Sequence, residues 1–273
     1  QTQDAGHGGF FGYHFVVLFF TVFPTSILAI KSFKKENTED LFHLHFRKWM
    51  VILFWVVLIL FYIVKTKIVH YSSLAYFPLT FLAATFVFNT IQKKQTWSKW
   101  MSVLIVFVAA LFCFLVLLLP AIDKIKFEII NRNLIHDAFT VGNLQADGGW
   151  TGFEFIPGLL LIGGIIFSIS YFKKDDILRR AVSLWIVTLV FTFSLMAMVV
   201  PKVEKYSQNA MVEYFKSHAG EDVYLKNIAF KSYAIMFYGE IKPPENKNYY
   251  DNNWLFTGDI DKDVYFITKI HHA

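Results

Sequence analysis

Residues 49–81 read WMVILFWVVLILFYIVKTKIVHYSSLAYFPLTF. The first half, 49–64, is apolar throughout. Then come Lys65, Lys67, His70, Tyr71 and two serines, and the apolar character resumes at Leu74. A helix rising about 1.5 Å per residue needs about 20 apolar residues to cross about 30 Å of hydrocarbon. The run 49–64 is short, but Trp, Tyr and Lys at its ends extend it by sitting in the interface. The stretch therefore reads as two membrane spans joined by a compact cationic turn.

The rest of the chain agrees. Of its 273 residues, 55% are hydrophobic and 19% aromatic, with 31 phenylalanines, more than a soluble domain can bury. Six segments have span character: 10–30, 49–64, 74–91, 100–119, 153–172 and 181–200. The third is diluted by Pro78, Thr80, Thr85 and Asn89. Trp49, Trp97, Trp100, Trp150 and Tyr171 lie near span ends, as an aromatic belt requires. The expected architecture is an α-helical integral membrane protein of about six transmembrane helices. Residues 1–202 form the membrane domain, with a long outer loop at 120–150, and a small α/β domain follows at 203–273. Cys113, the single cysteine, falls inside the fourth apolar run and reads as a small buried apolar residue. The first apolar run follows acidic and polar residues and does not resemble a signal peptide. The chain is expected to be a fragment of something longer.

Lys and Arg collect in alternate linkers: Lys31, Lys34, Lys35, Arg47 and Lys48; then Lys93, Lys94 and Lys99; then Lys173, Lys174, Arg179 and Arg180. By the positive-inside rule these linkers are cytoplasmic. The N-terminal segment, the 65–73 turn, the loop 120–150 and the tail then lie on the other side. Lys65 and Lys67 run against the charge bias of their side. The net charge of +5 is accounted for largely by orientation, and no basic stripe with interleaved aromatics points to nucleic acid.

After Pro201 the composition turns polar. Ser207 is placed to cap a helix running to about His218, with Gly220 as its stop. Val223 and Leu225 alternate with polar neighbours, as do Ile235 and Phe237. Val264, Phe266 and Ile270 give a further strand signal, and residues 242–253, KPPENKNYYDNN, read as a loop. A domain of about 70 residues is at the lower end of what folds alone.

Four polar clusters are candidates for chemistry. Lys65, Lys67, His70 and Tyr71 sit where lipid phosphates lie, and ammonium, imidazole and hydroxyl donors suit a phosphate. Lysines snorkelling from a helix end are the plain alternative. In DAGHGGFFGYHF, His7 stands among glycines, and Tyr13 and His14 lie just inside the first run. A head-group contact is one reading, and a metal is weakly signalled because only Asp4 is nearby. Glu154 opens the fifth run, where a helix dipole stabilises an acid. Asp123, Glu128, Arg132, His136, Asp137 and Asp147 lie in the outer loop, with no spacing that names a chemistry. No P-loop, dinucleotide fingerprint, serine-hydrolase elbow or zincin helix is present. No charged residue sits in the middle of a run, which speaks against a cation-coupled transporter or flippase.

The segment KTKIVHYSSLAYFPLTFLAA resembles the Lys-rich turn of the bacterial membrane glycosyltransferases similar to 4-amino-4-deoxy-L-arabinose transferase. These are relatives of the dolichyl-phosphate-mannose–protein mannosyltransferases. HGGFFGYHFVVL resembles the segment opening the second half of that family, with Phe10 where the family pattern has proline. FKSYAIMFYGEIKP and DIDKDVYFITK resemble its extracytoplasmic C-terminal domain. The resemblance implies a type C glycosyltransferase architecture. The activity would move a sugar from a polyprenyl-phosphate carrier to a lipid, such as lipid A, or to a glycan or protein acceptor. It would do so at the outer face of the inner membrane of the cell envelope. Lys65 and Lys67 would hold the carrier phosphate, His70 and Tyr71 would orient it, and His7 and Tyr13 would touch the head group. The catalytic aspartate is expected upstream of Gln1, so the fragment alone is expected to be inactive. The cofactor stays open, a divalent metal included. A membrane-anchored envelope sensor or binding protein, reading a ligand through its tail, is the alternative.

Overall fold

The structure, a computed structural model, describes residues 10, 12–34, 40–64, 67–172, 176–207, 209–243 and 245–268. These fall into two compact units: one within Gln1–Leu117 and Phe155–Ser194, the other within Leu118–Glu154 and Leu195–Ala273.

In the first unit, α1 (Tyr13–Thr21) and α2 (Thr25–Ala29, continued as a 3-10 turn to Phe33) meet at 106°. The sequence reading had one straight span here. Pro24 provides the reason, because it carries no N–H for a continuing ladder. Every residue of α2 is buried, and it packs on α4 (Tyr76–Ile91). Trp185 Nε1 donates to Thr25 Oγ1 at 3.0 Å, and Ser26 Oγ donates to Phe19 O at 2.7 Å. The bend's polar groups are therefore met inside the protein, as a bilayer requires.

Helix α3 (Leu41–Ile63) is capped by Asp40, whose carboxylate accepts the His43 N–H at 3.2 Å. Met50, Phe54, Val57 and Leu58 face inward, while Trp55, Val56, Ile59 and Leu60 are exposed. The same division recurs in α5 (Lys99–Asn131), α7 (Ile156–Tyr171) and α8 (Ile177–Met198). Exposed apolar surface on this scale suits hydrocarbon, not water. Four helical stretches are long and apolar enough to cross a membrane: Leu41–Ile63, Val69–Ile91, Lys99–Asn131 and Ile177–Met198. Counting the bent pair as one span would make five, and Ile156–Tyr171 is shorter. The molecule is thus compatible with a helical membrane protein.

Helix α5 runs past Pro120 to Asn131, so the stretch 120–131, expected as loop, is helical. Proline removes one ladder donor, and the apolar residues Ile125, Phe127, Ile129 and Ile130 carry the helix on. Gly158 lets α7 approach α5 closely: a Cβ there would stand 3.2 Å from Cys113 Cα and Sγ.

One device recurs. A cation donates to carbonyls left open at the end of another helix. Arg47 Nη1 reaches Ser32 O and Lys34 O at 2.9 and 2.8 Å. Arg180 Nη2 reaches Ile169 O at 3.0 Å and also Phe172 O, and the guanidinium Cζ lies 5.0 Å from the Trp97 ring centre. Lys31 likewise donates to Thr96 O, in the linker before α5. These contacts gather the three basic linkers at one end of the unit, the end where α3 starts.

In the second unit, α6 (Ala138–Leu144), capped by Asp137, and α9 (Val200–Glu204) flank the loop 145–154. The tail then runs α10 (Asn209–Ser217), β1 (Tyr224–Ile228), α11 (Ala234–Tyr238), α12 (Asn252–Thr257) and β2 (Val264–Thr268). The two strands are parallel, with Tyr224 opposite Val264 and Ile228 opposite Thr268. Phe215, Leu225 and Ile235 form the core between them and the helices. Two readings need correction. Ile235 and Phe237 lie in a helix, because Ile235 turns into the core while Phe237 stays exposed. The stretch 242–253 holds a 3-10 turn, Lys247–Tyr250, and the start of α12, which Asp251 caps. Ile270 lies outside the described residues.

Candidate functional site

The cationic turn stands at the far end of α3 from the basic linkers. Lys65 and His7 lie outside the described residues. Lys67 Nζ donates to Phe61 O, Tyr62 O and Val64 O at 2.8, 3.0 and 2.7 Å. An ammonium has three N–H groups, so its donors are fully engaged in capping α3. His70 is exposed on the 3-10 turn Val69–Ala75, edge-on to Tyr71 at 5.2 Å. Tyr71 is half-buried against Phe61 at 5.5 Å.

His14, on the first turn of α1, is 3% exposed. Its Nδ1 lies 3.1 Å from Ser72 Oγ, and Ser72 Oγ donates to Val69 O at 3.3 Å. The serine's one hydrogen is thereby used, so its oxygen accepts Nδ1–H. Nε2 is then the bare nitrogen, buried and without a partner among the described residues. His14 and Lys67 line a cleft of about 200 Å³ with Gly12, Tyr13, Phe15, Trp55, Leu58, Ile59 and Tyr62. A second, almost wholly apolar cleft of about 420 Å³ runs between Phe15, Leu18, Phe19, Ile30, Phe33, Phe54, Trp55 and Leu79. Phe15 and Trp55 line both, so the two adjoin as one largely apolar groove along α3, with Lys67 and His14 among the residues at one end of it.

The sequence brought forward Lys67 and Tyr13, and the structure puts both on this groove. His70 and Tyr71 do not line it. Trp55 and Phe15 were missed. The signal for them was their place one and two turns inward from the polar residues, but apolar residues within apolar runs carry no distinguishing mark.

The second unit holds a different polar cluster. Tyr206 Oη donates to Asp123 and accepts from Trp150 Nε1 at 2.8 Å. Lys126 pairs with Asp123 at 2.7 Å and donates to Ala146 O at 2.6 Å. Burial, and then the Asp123 carboxylate, push the Tyr206 phenol up to about 12. Glu154 is 1% exposed and accepts from Thr151 N, Thr151 Oγ1 and Gly152 N at 2.9, 2.9 and 2.8 Å, with Lys202 at 3.9 Å. Burial alone would raise Glu154, but these bonds outweigh it and hold the carboxyl below its ordinary value. An anion so fully engaged fastens the loop and is not free to move a proton.

Among the described residues, no group of three or more His, Cys, Asp or Glu side chains is arranged to hold a metal. Comparison with known proteins gave no relative: no family model, curated protein or solved structure matches the chain.

Proposed function

We propose that this chain is the carrier-holding part of a glycosyltransferase that uses a sugar linked to a polyprenyl phosphate, working at the outer face of the inner membrane. The observation that carries the reading is the groove along α3. At its head stand Lys67, held by three carbonyls, and the buried His14, and its body is an apolar channel of about 420 Å³ walled by Phe15, Phe54 and Trp55. A lipid phosphate has this shape, a compact anion on a long hydrocarbon tail. The basic linkers at the opposite end of the unit support an orientation with that end in the cytoplasm.

In such a transfer an acceptor oxygen bonds to the anomeric carbon as the bond from that carbon to the carrier phosphate breaks. The phosphate leaves carrying the electron pair. A cation beside it is worth more as the negative charge grows, which lowers the barrier and not merely the binding energy. Lys67 would exchange one carbonyl for a phosphate oxygen, whose full negative charge attracts the ammonium more strongly than a neutral carbonyl does. His14 Nε2 donates to the phosphate once it takes up a proton. Among the described residues, no carboxylate lines the groove. On this reading the chain holds the carrier and takes the leaving charge.

The test is binding of a radiolabelled polyprenyl phosphate to the chain in detergent, with the matching polyprenol as control. The phosphate is expected to bind at least tenfold tighter, and the Lys67→Met, His14→Leu double variant to erase that preference. Equal binding of the two lipids would reject the reading. A second reading, an envelope sensor, is favoured by one observation. The tail has a cleft of about 290 Å³ lined by His218, Tyr224, Tyr249, Lys242 and Lys262, with several carboxylates. It requires that the tail bind a ligand while the α3 groove binds none.

A further inference from the structure

The basic end of α3 carries a feature that the carrier reading does not use. A cleft of about 530 Å³ lies between Phe33, Leu41, Leu44, His45, Arg47, Lys48, Val51 and Ile52. Among the described lining residues, three side chains are basic and none is acidic. The remaining walls are apolar, and they continue along the lipid-exposed face of α3, where Ile52 is 38% exposed.

Arg47 is the anomalous member. It is 7% exposed, and no carboxylate pairs with it among the described residues. Nη1 serves both Ser32 O and Lys34 O. Nε is buried without a partner. Nη2 makes no hydrogen bond among the described residues either, and it is not sealed from the surface. Neutral carbonyls orient the guanidinium, but they do not neutralise it. A buried cation without a counter-charge is costly. An anion reaching Nη2 from the cleft would remove that cost. His45 and Lys48, both exposed on the same helix, add donors on the outer side of the same anion.

We propose that this cleft is a binding site for an anionic glycerophospholipid. The head-group phosphate would sit among Arg47, His45 and Lys48, and an acyl chain would lie over Val51 and Ile52. Three observations choose this occupant. Among the described lining residues the charge is of one sign. The apolar wall belongs to a helix long enough to cross a bilayer. Exposed Trp49 and Phe42 flank the basic residues, the composition that places a helix end at head-group depth. Basic pockets beside membrane helices select anionic head groups in this manner. A guanidinium fork fits a phosphate better than it fits a quaternary ammonium. The site is distinct from the carrier groove, whose Lys67 end lies at the other end of α3. The inference rests only on the chain being embedded in a membrane and holds whether or not the chain transfers a sugar.

The experiment is native mass spectrometry of the chain released from nanodiscs of equal parts phosphatidylglycerol and phosphatidylcholine. Wild-type chain is expected to retain phosphatidylglycerol at least tenfold over phosphatidylcholine. The His45→Gln, Lys48→Gln variant leaves the Arg47 caps in place and is expected to lose most of that preference. Val51→Trp fills the apolar wall while keeping every charge, and it is expected to lower retention of both lipids. Millimolar inorganic phosphate is expected to leave the bound lipid in place. Equal retention of the two lipids, an unchanged preference in the His45/Lys48 variant, full displacement by inorganic phosphate, or a second copy of the chain in place of lipid would each overturn the proposal.

Discussion

Replacing Tyr206 with phenylalanine removes one oxygen and tests whether the second unit is held as described. That hydroxyl joins three segments. It follows α9, donates to Asp123 on α5, and accepts from the indole of Trp150 in the loop 145–154. Without it the Trp150 N–H loses its partner, and Asp123 keeps only its pairing with Lys126 at 2.7 Å. A hydrogen bond to a charged group is worth about 1.5–3 kcal/mol, and a stranded donor costs about 1–3 kcal/mol. Both residues are half-buried, so water recovers part of the loss, and a net destabilisation of about 2 kcal/mol is expected. The assay is reversible unfolding followed by tryptophan fluorescence. A Trp150→Phe arm closes a double-mutant cycle, whose coupling energy should exceed about 0.5 kcal/mol. The phenol's raised value adds a signature. The folded state keeps the proton longer than the unfolded chain, so this stabilisation is complete below pH 10, the ordinary value, and disappears as pH rises toward about 12. Tyr206→Phe should lose that alkaline component. A variant as stable as the wild type, with no coupling to Trp150, would refute the arrangement.

Further outcomes follow from other contacts. Glu154→Gln removes the charge that Thr151 and Gly152 bond, and should cost about 2 kcal/mol at neutral pH. Because the carboxyl sits below its ordinary value of 4.5, wild-type stability is full above that value and falls as pH drops through the lower one. The glutamine variant should lack this acid-side loss. Lys67→Met should destabilise the end of α3 by about 1–2 kcal/mol, through loss of the carbonyl cap, read as faster amide exchange at residues 67–71. Gly158→Leu must part α7 from α5 at Cys113. The single thiol, slow to react with maleimide in the wild type, should become labelled readily in detergent.

How much of this was visible in the chain depends on which force was at work. The helices could be read because hydrocarbon imposes one requirement, a run of apolar residues, and composition reports it directly. The 106° break after Thr21 was carried by Pro24 alone, and its depth depends on α4 and Trp185 receiving the freed polar groups. The passage of α5 through Pro120 was hidden for the same reason, since neighbours decide whether a proline ends a helix in a membrane. In the tail, Val223 and Leu225 marked β1 well, but Ile235 and Phe237 gave a period that a short helix satisfies equally. At the candidate site the sequence marked the polar head because Lys67 is conspicuous beside hydrocarbon. It could not reveal that three carbonyls of the preceding helix occupy that lysine, or that His14, 58 positions away from Ser72, is the group with a nitrogen to spare.

The central claim is that the α3 groove holds a lipid phosphate by its head and its tail together. Photo-crosslinking tests it most directly, using a polyprenyl phosphate with a diazirine on its first isoprene unit and peptide mapping of the adducts. The account predicts adducts on Tyr13, Phe15, Trp55 and Tyr62 that unlabelled polyprenyl phosphate competes away and polyprenol does not. Adducts confined to the Arg47 end of α3 or to the tail, or labelling indifferent to the phosphate, would contradict it.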